Sequence, residues 1–426
     1  MFCQTTDTVI YKGDYSFKVD SIVIRGNEKT NAKVILRELT FQKGDMVNSK
    51  ILTYNKNRVY SLGIFTNIFI TPERINNINY VIILVRESWY IYPIPYVELQ
   101  DQDWEKISYG IDLGIRNLGG LNATLRARVG FGYDPVLLIH YDYPYLIENQ
   151  NIDLSIDVLH QKAKNKSVIA KNIYGSNFNQ KIISASVDLG KRFGLYNRAD
   201  LFLGYDYIET PFYIKGISAS SGRIDRVPSL GISYTHDTRD LIQFPSNGLY
   251  TYLSLMFKGL GFDGINYKIA NIDFREYRLF FSNLIAKWRF AGRFTFGGLV
   301  PFYNYSFLGY QERIRGYYTT EMEGNDSYLG SVELNYPLLK DMDVSLNFIP
   351  IIPKSLLSYR IALYLELFTD SGTTLFKGQK FSLDELHTGY GTGLTFLLLP
   401  YNSLRIEYAF NEYKRAEWIA ALGISF

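Results

Sequence analysis

The sequence lacks the features that mark several common classes of protein. Its 426 residues include one cysteine, Cys3, so no disulfide can form within the chain. No stretch approaches the roughly 18 apolar residues that a transmembrane helix needs, and the longest strongly apolar stretch is Tyr80–Val85. The 45 basic and 42 acidic residues nearly cancel, which argues against binding of nucleic acid. These absences exclude a disulfide scaffold and a helical membrane protein.

Motifs for enzymatic chemistry are also missing. The histidines are scattered without metal-ligand spacing, at His140, His160, His236 and His387. There is no Gly-x-Ser-x-Gly turn and no phosphate-binding loop. The glycine-rich stretch Gly389–Gly393 lies in a strand-like segment with no helix after it, so we interpret it as structural. The sequence therefore predicts no enzyme, no catalytic residue, no metal and no cofactor.

Aromatic residues, by contrast, are abundant, since 36 Tyr, 28 Phe and 4 Trp make up 16% of the chain. Such rings are typical of the interfacial girdles of a membrane β-barrel. Between Ile107 and Phe426, about sixteen segments alternate apolar and polar residues, as Ile152–His160 does. A tilted strand crosses a membrane in about 9–11 residues, and bacterial barrels have even strand numbers. We therefore predict a transmembrane β-barrel of about 16 antiparallel strands over residues 107–426.

A soluble β-sandwich is the alternative explanation of this alternation, because its strands also bury every second residue. However, a sandwich does not need so many charged residues on the opposite face. The density of Asp, Glu, Lys and Arg between the apolar positions favours a barrel with lipid outside and water inside.

The N-terminal quarter has a different pattern. After a flexible tail over residues 1–16, the order over residues 17–88 reads β-α-α-β-β. The predicted elements are a strand at Phe17–Arg25, a helix from Thr30 to Leu39, a helix from Asn48 to Leu62, and strands at Ile64–Thr71 and Tyr80–Glu87. Residues 89–106 then read as a linker or hinge. Its aromatic, proline-bearing start, Trp89–Pro95, suits a water–lipid boundary.

Several phrases give the chain a family resemblance. IVIRGNEKT, LGIFTNIFI and VIILVRE look like a POTRA domain. The segments RGYY, GNDSYLGSVELNYPL (Gly324–Leu338) and FTDSG resemble the outer-membrane assembly superfamily that includes BamA and TamA, also called the bacterial surface antigen family. The resemblance covers nearly the whole chain and implies a bacterial outer-membrane barrel with its POTRA domain in the periplasm. Only one such domain fits here, whereas BamA-like members usually carry several.

The resemblance also implies a site inside the barrel. The segment Phe307–Tyr318 would fold inward as a lid loop, and an arginine of this loop would meet an aspartate of the barrel wall. The lid-loop motif is Arg313, Arg315, Gly316 and Tyr317, and the wall motif is Phe368, Asp370 and Gly372. We expect Arg315 to bind Asp370 through its planar fork, between the rings of Tyr317 and Phe368. The alternative is a surface loop with two solvated arginines, and Arg313 has no assigned partner.

Two further motifs match the family. In THDTRDLIQFPSNGLY, Asp237 and Asp240 can accept backbone N–H bonds and Arg239 can neutralise them, which predicts a tight periplasmic turn. The last strand, predicted at Trp418–Phe426, ends on an aromatic residue and resembles a barrel assembly signal, with Trp418, Gly423 and Phe426 as its marked positions.

The resemblance further implies a weak seam where the first and last strands meet, here predicted near Tyr109–Arg116 and Trp418–Phe426. The glycines Gly110, Gly114 and Gly423 fall on these strands, and glycine weakens a strand ladder. An outer-membrane protein also requires a secretory signal. The start Met1–Gln4 has neither a basic nor an apolar region of that kind, so we expect the signal to have been removed or to precede this sequence.

By this resemblance, the protein would help to fold and insert other β-barrel proteins through POTRA strand pairing and the seam. Its partners would be the outer-membrane bilayer, unfolded client proteins, and periplasmic chaperones or assembly lipoproteins. A polypeptide secretion pore of the two-partner type and a non-insertase accessory subunit are the alternatives.

Overall fold

The structure is a computed structural model. It describes residues 8–10, 13, 15–99, 104–281, 283–309, 312–317, 320–346, 357–400 and 402–426. Cys3, Tyr318 and most of the predicted tail lie outside the described residues. No helix within these ranges has the length and apolar character that crossing a membrane requires.

A small α/β domain forms the N-terminal part of the chain. Its elements are β1 (Thr8–Ile10), β2 (Ser16–Lys18), β3 (Ser21–Arg25), α1 (Ala32–Leu36), β4 (Met46–Asn48), α2 (Ser49–Tyr60), β5 (Phe65–Ile75) and β6 (Ile78–Glu87). Both helices begin after an asparagine, because the side chains of Asn31 and Asn48 accept backbone N–H bonds of the first turn. The sheet order is β1-β5-β6-β3, with β3 parallel to β6. The predicted β-α-α-β-β order is confirmed for β3, α1, α2, β5 and β6. However, the predicted strand Phe17–Arg25 is divided into β2 and β3, β4 lies between the two helices, and β1 falls within the predicted flexible tail.

The rest of the chain is dominated by one large antiparallel sheet. Its first strands are β7 (Ile91–Leu99), β8 (Ile107–Leu118), β9 (Ala123–Gly132), β10 (Val136–Ile147), β11 (Ile152–Lys164), β12 (Asn179–Phe193), β13 (Asn197–Glu209) and β14 (Ile224–Asp237). Then follow β15 (Gly248–Lys258), β16 (Tyr267–Phe280), β17 (Leu284–Gly297), β20 (Asp326–Ser345), β21 (Ser358–Leu375), β22 (His387–Leu399), β23 (Asn402–Asn411) and β24 (Ala416–Leu422). The described residues thus place sixteen strands in this sheet, which confirms the predicted number.

The first strand of the sheet lies where the sequence predicted a linker. Strand β7 occupies Ile91–Leu99 and pairs with β8, so the first strand of the sheet is β7 and not Tyr109–Arg116 as predicted. Pro93 and Pro95 made this segment look unlike a strand. Proline is tolerated at a sheet edge, where its missing N–H faces away from the ladder.

The sheet curves into a barrel, and the N-terminal domain lies at one of its mouths. Residues from strands and turns all along the sheet contact this one domain. The contacts join Asn31 to Gly120, Lys33 to Glu148, Glu38 to Arg192, Ser61 to Ile242 and Asn57 to Arg360. Since these partners extend from the β8–β9 turn to β21, the sheet must encircle a mouth that the domain fills. Apolar residues of both parts form one core there, including Phe65, Phe244 and Tyr364.

The opposite mouth carries longer connections. Helix α3 (Val168–Tyr174), which the sequence did not predict, follows the N-cap Ser167 and ends at Gly175, where φ is +90°. Its Tyr174 ring stacks on Phe212, and Phe178 packs against Phe302 of the β17–β20 connection. That connection also holds the hairpin of β18 (Ser306–Leu308) and β19 (Met322–Gly324).

Candidate functional site in the barrel lumen

The β17–β20 connection, residues 298–325, contains the predicted lid loop and is called the lid loop below. The described part of this connection folds into the barrel. Leu308 and Ile314 are buried, at 2% and 1% exposure, and pack in one cluster with Leu329 of β20. Because these apolar side chains gain a dry contact on the wall, the loop tip stays inside the lumen. The tip, Glu312–Tyr317, therefore lies beside strands β20–β24.

Arg315 at the tip binds the wall through its whole guanidinium group. Its Nε lies 2.7 Å from Asp370 Oδ2 and its Nη2 lies 2.8 Å from Asp370 Oδ1, a bidentate pair. Its Nη1 donates to Glu333 Oε2 at 3.1 Å and to Glu407 Oε1 at 3.0 Å. The Phe368 ring centroid is 3.7 Å from the guanidinium carbon. The structure thus brings Arg315, Asp370 and Phe368 together, as the sequence analysis expected.

The acidic partners other than Asp370 were missed by the sequence analysis. Glu333 on β20 also binds Lys287 of β17 at 2.9 Å, and Glu407 on β23 also binds Arg405 at 2.7 Å. Both carboxylates are about 1% exposed. The sequence shows them only as charged residues within strands, and no local pattern marks which of these meet Arg315, because burial and strand register appear only in the folded barrel. Together these side chains tie the lid loop to β17, β20, β21 and β23.

Glycines let the loop backbone approach the wall. Gly316 has φ of +99°, and its N–H donates to Glu417 Oε1 of β24 at 2.8 Å. A Cβ on Gly316 would lie 2.6 Å from the carbonyl oxygen of Phe410. A Cβ on Gly389 would lie only 1.5 Å from the carbonyl oxygen of Arg315. The GYGTG stretch is therefore part of the surface that receives the loop.

The remaining motif residues lie apart from the guanidinium group. Tyr317 is buried, but its ring makes an edge contact with His387 at 5.2 Å, so the expectation that it flanks Arg315 is wrong. Gly372 faces Tyr328, whose carbonyl oxygen would be 2.6 Å from an added Cβ. Arg313 is half-buried nearby.

The predicted turn motif lies at the other mouth, against the N-terminal domain. Arg239 forms a bidentate pair with Asp237. Asp240 accepts hydrogen bonds from the backbone N–H groups of Ser246 and Asn247. The segment is therefore the tight turn that its residues suggest. The same segment also docks the domain, because the N–H of Ile242 donates to Ser61 Oγ at 3.0 Å.

A buried charge cluster holds the same interface. Glu38 of the N-terminal domain binds Arg58 at 2.7 Å and Arg192 of β12 at 2.6 Å. Beside it, the Tyr54 hydroxyl lies 3.4 Å from the Tyr196 hydroxyl. Burial, together with this neighbour, raises the pKa of Tyr54 to about 12, so the group stays neutral and keeps its proton for hydrogen bonding. By contrast, the ion pair of Lys33 with Glu148 at the rim is exposed.

The last residues of the chain leave the barrel wall. Strand β24 ends at Leu422, where the sequence predicted a strand through Phe426. Gly423 has φ of +92° and turns the chain inward. Ser425 Oγ then donates to Glu333 Oε2 at 2.6 Å, and Phe426 is 5% exposed. Trp418, by contrast, stays on the strand and is 69% exposed.

Comparison with known families agrees with this architecture. Residues 117–426 match the model of the Omp85 superfamily domain, and residues 17–88 match the POTRA model, described as a surface antigen variable number repeat. The chain therefore belongs to the Omp85 superfamily, which confirms the resemblance and the fold class. As a barrel of this superfamily it is an outer-membrane protein. None of the curated proteins matches the chain.

Solved structures show the same fold at low sequence identity. BamA from Haemophilus ducreyi lacking POTRA domains 1–3 is 16% identical with a TM-score of 0.55, over 98% of this chain and 90% of that one. CdiB from Escherichia coli is 12% identical with a TM-score of 0.54, over 95% and 75%. CdiB from Acinetobacter baumannii is 15% identical with a TM-score of 0.50, over 95% and 73%. This likeness extends to both parts of the chain.

Proposed function

We propose that the protein assists the folding and insertion of other outer-membrane β-barrel proteins, with its POTRA domain in the periplasm. One observation carries the proposal. Within the described residues, strands β7 and β24 end the sheet and no ladder joins them. A barrel whose wall has two unpaired strand edges offers backbone groups to a client strand at the depth of the membrane, where a lone strand has no other partner.

The mechanism is an exchange of hydrogen-bonded ladders and needs no chemical step. An extended client segment first pairs with the edge of the POTRA sheet. It then pairs at the seam between β7 and β24, so its backbone groups stay bonded while it enters the bilayer. Because one antiparallel ladder replaces another, the net cost of each transfer is small. Thinning of the bilayer beside the short β24 strand lowers the remaining barrier.

The lid loop sets the geometry of the seam. Arg315 bonds to carboxylates on β20, β21 and β23, and Gly316 bonds to Glu417 on β24. These strands are the wall segment that ends at the seam. The loop therefore acts as a clamp that holds the β24 edge in a fixed position while a client strand pairs with it.

The POTRA domain lies at one mouth of the barrel, which we call the near mouth. The domain is docked there through the ion pair of Glu38 with Arg192 of β12. A client that reaches the seam along the outside of the barrel needs no opening of this mouth. A secreted polypeptide that passes through the lumen requires both the POTRA domain and the lid loop to move. The docked arrangement is therefore better suited to insertion than to secretion.

Reconstitution in lipid vesicles tests the proposal. The folding of an unfolded client barrel is timed with the protein and with empty vesicles. Faster folding is expected, and Arg315→Ala is expected to remove most of the acceleration. No acceleration, together with passage of a soluble polypeptide or a large conductance, would instead establish a secretion pore of the two-partner type. Neither activity would indicate an accessory subunit, whose assembly lipoproteins or chaperone partners would then be sought.

A further inference from the structure

The two edges of the seam differ in their hydrogen-bonding capacity. In an antiparallel ladder, alternate residues direct both backbone groups toward the partner strand, and the residues between them direct both groups away. The N–H of Arg116 donates to the carbonyl oxygen of Tyr90 at 2.8 Å, one step before the β7–β8 ladder begins. Even-numbered residues of β7 therefore bond to β8, and odd-numbered residues face the open edge.

A second hydrogen bond supports this assignment from the other side of β8. The N–H of Tyr133 donates to the carbonyl oxygen of Ile107 at 2.9 Å, so the odd-numbered residues of β8 bond to β9. Even-numbered residues of β8 are left to face β7. They pair in unbroken register with the even-numbered residues of β7, as Gly110 does with Tyr96. Pro93 and Pro95 consequently lie at consecutive outward positions of β7.

Proline at these positions removes the donors from the edge. A proline nitrogen carries no hydrogen, so Pro93 and Pro95 offer only carbonyl acceptors to a neighbouring strand. A strand added here would leave two of its own carbonyl groups without a donor. In a membrane such groups are costly, because no water replaces the missing bond. Strand β7 is therefore a poor template over this stretch.

Strand β24 presents the opposite case. The N–H of Asn411 donates to the carbonyl oxygen of Arg415, and the N–H of Gly423 donates to the carbonyl oxygen of Ser403. Both bonds place the odd-numbered residues of β24 against β23, in the unbroken register of that pair. The outward positions are Ala416, Trp418, Ala420 and Leu422. Each keeps its N–H and its carbonyl group, so this edge is a complete template.

We propose that the seam is one-sided, with β24 as the edge that accepts an extended client strand and β7 as an edge that Pro93 and Pro95 make a poor acceptor. This inference rests on the proposed insertase function for its ligand. The side chains of Trp418 and Leu422 at outward positions are 69% and 73% exposed. A strand with apolar residues on the same face would continue this lipid-facing surface. The same asymmetry keeps β7 from closing on β24.

Hydrogen exchange of the intact protein in lipid nanodiscs, without a client, tests the asymmetry itself. The amides of Trp418, Ala420 and Leu422 are expected to exchange faster than those of Glu417, Ile419 and Ala421, which are bonded to β23. The double variant Pro93→Val/Pro95→Val restores both donors, so β7 and β24 can pair. The exchange rates of the outward β24 amides are then expected to fall by at least about tenfold. Protection of the outward β24 amides in the parent protein would overturn the proposal.

Cross-linking to a client tests which edge accepts the strand. In a Cys3→Ser background, a cysteine at Ala420 is expected to trap a stalled client that carries one cysteine, and a cysteine at Val97 to trap little. Ala420→Pro removes one outward donor without touching the β23 ladder and is expected to slow client folding about three- to tenfold, the value of one backbone hydrogen bond. Ala420→Val keeps the donor and serves as the matched control.

The outcomes separate the two proposals. Fast exchange at the β24 edge with no acceleration of any client would refute the insertase and leave the asymmetry standing. Acceleration with equal trapping at Val97 and Ala420 would refute the one-sided seam and leave the insertase standing. Trapping of Ala420 by a second copy of the protein in place of a client would also refute β24 as a client template.

Discussion

The carbonyl oxygen of Arg315 lies 1.5 Å from the point where a Cβ on Gly389 would stand. The lid loop therefore rests directly on the backbone of β22, with no room for a side chain between them. This contact explains how the Arg315 guanidinium reaches Asp370 on the neighbouring strand while its own N–H also donates to the Asp370 carboxylate, at 3.1 Å. The Arg315–Asp370 ion pair and the backbone contact at Gly389 therefore both hold the lid loop against the wall.

Gly389→Ala is expected to lift the lid loop from the wall. The neighbour is backbone and cannot rotate away, so the strain falls on the Arg315 contacts, and a loss of about 1–3 kcal/mol in the free energy of unfolding is expected. Urea unfolding in detergent micelles measures it. Gly330→Ala is the control, because its Cβ would approach protein no closer than 3.9 Å. Equal effects of the two variants would refute the close-contact explanation.

Arg315→Ala is expected to cost about 3–5 kcal/mol in the free energy of unfolding, because it leaves buried carboxylates without their cation. Arg315→Lys should recover little, since an ammonium group cannot make the bidentate pair. The same urea unfolding checks both. Arg223→Ala is the control at an exposed ion pair, where at most about 1 kcal/mol is expected. A similar cost at Arg223 and Arg315 would contradict the role of the buried network.

Reversing the charges of Arg315 and Asp370 together is expected to restore little of the lost stability. An aspartate at position 315 would lie beside Glu333 and Glu407, and like charges in a buried site repel. The comparison of the double variant with each single reversal measures the coupling. Full recovery in the double variant would show that Glu333 and Glu407 do not contribute.

Glu38→Gln is expected to loosen the POTRA domain from the near mouth. The amide keeps the shape but loses the charge that pairs with Arg58 and Arg192, so about 1–3 kcal/mol of docking free energy is lost. Conductance in planar bilayers is the measurement, with more frequent open events expected. Lys33→Ala, at the exposed pair with Glu148, should leave conductance unchanged. Unchanged conductance in Glu38→Gln would argue against charge-held docking.

The chain's own N-terminal strand occupies part of the POTRA edge. Residues Thr8–Ile10 pair antiparallel with Glu73–Ile75 of β5. Replacing residues 8–10 by Gly-Ser-Gly is expected to strengthen the binding of an extended client peptide on the order of tenfold, because a tethered competitor acts at millimolar effective concentration. Fluorescence anisotropy with a labelled peptide measures the affinity. An unchanged affinity would place the client on another surface.

Much of the fold could be predicted from the sequence because the patterns that indicate it are local. Strand alternation such as Ile152–His160 and the helix caps Asn31 and Asn48 were predictable from a few neighbouring residues. Strand β7 was not predictable in this way, because it contains Pro93 and Pro95 and proline is rare in strands. Proline is compatible with a strand at a sheet edge, and the position of β7 at the edge is known only from the structure.

The site was only partly predictable for a related reason. Arg315 and Asp370 belong to motifs whose resemblance to a family could be seen. Glu333 and Glu407 meet Arg315 only through the register of strands far apart in sequence, which no local pattern specifies. The same holds for Gly389, whose importance appears only when the lid loop lies on it.

Closing the seam between β7 and β24 tests directly whether client insertion uses it. In a Cys3→Ser background, one cysteine at Val97 and one at Ala416 or Ala420 are introduced to close the seam by a disulfide. Client folding in vesicles is then timed with the same protein oxidised and reduced. Oxidation is expected to abolish the acceleration, and reduction is expected to restore it. Equal acceleration by a fully cross-linked and a reduced protein would contradict it.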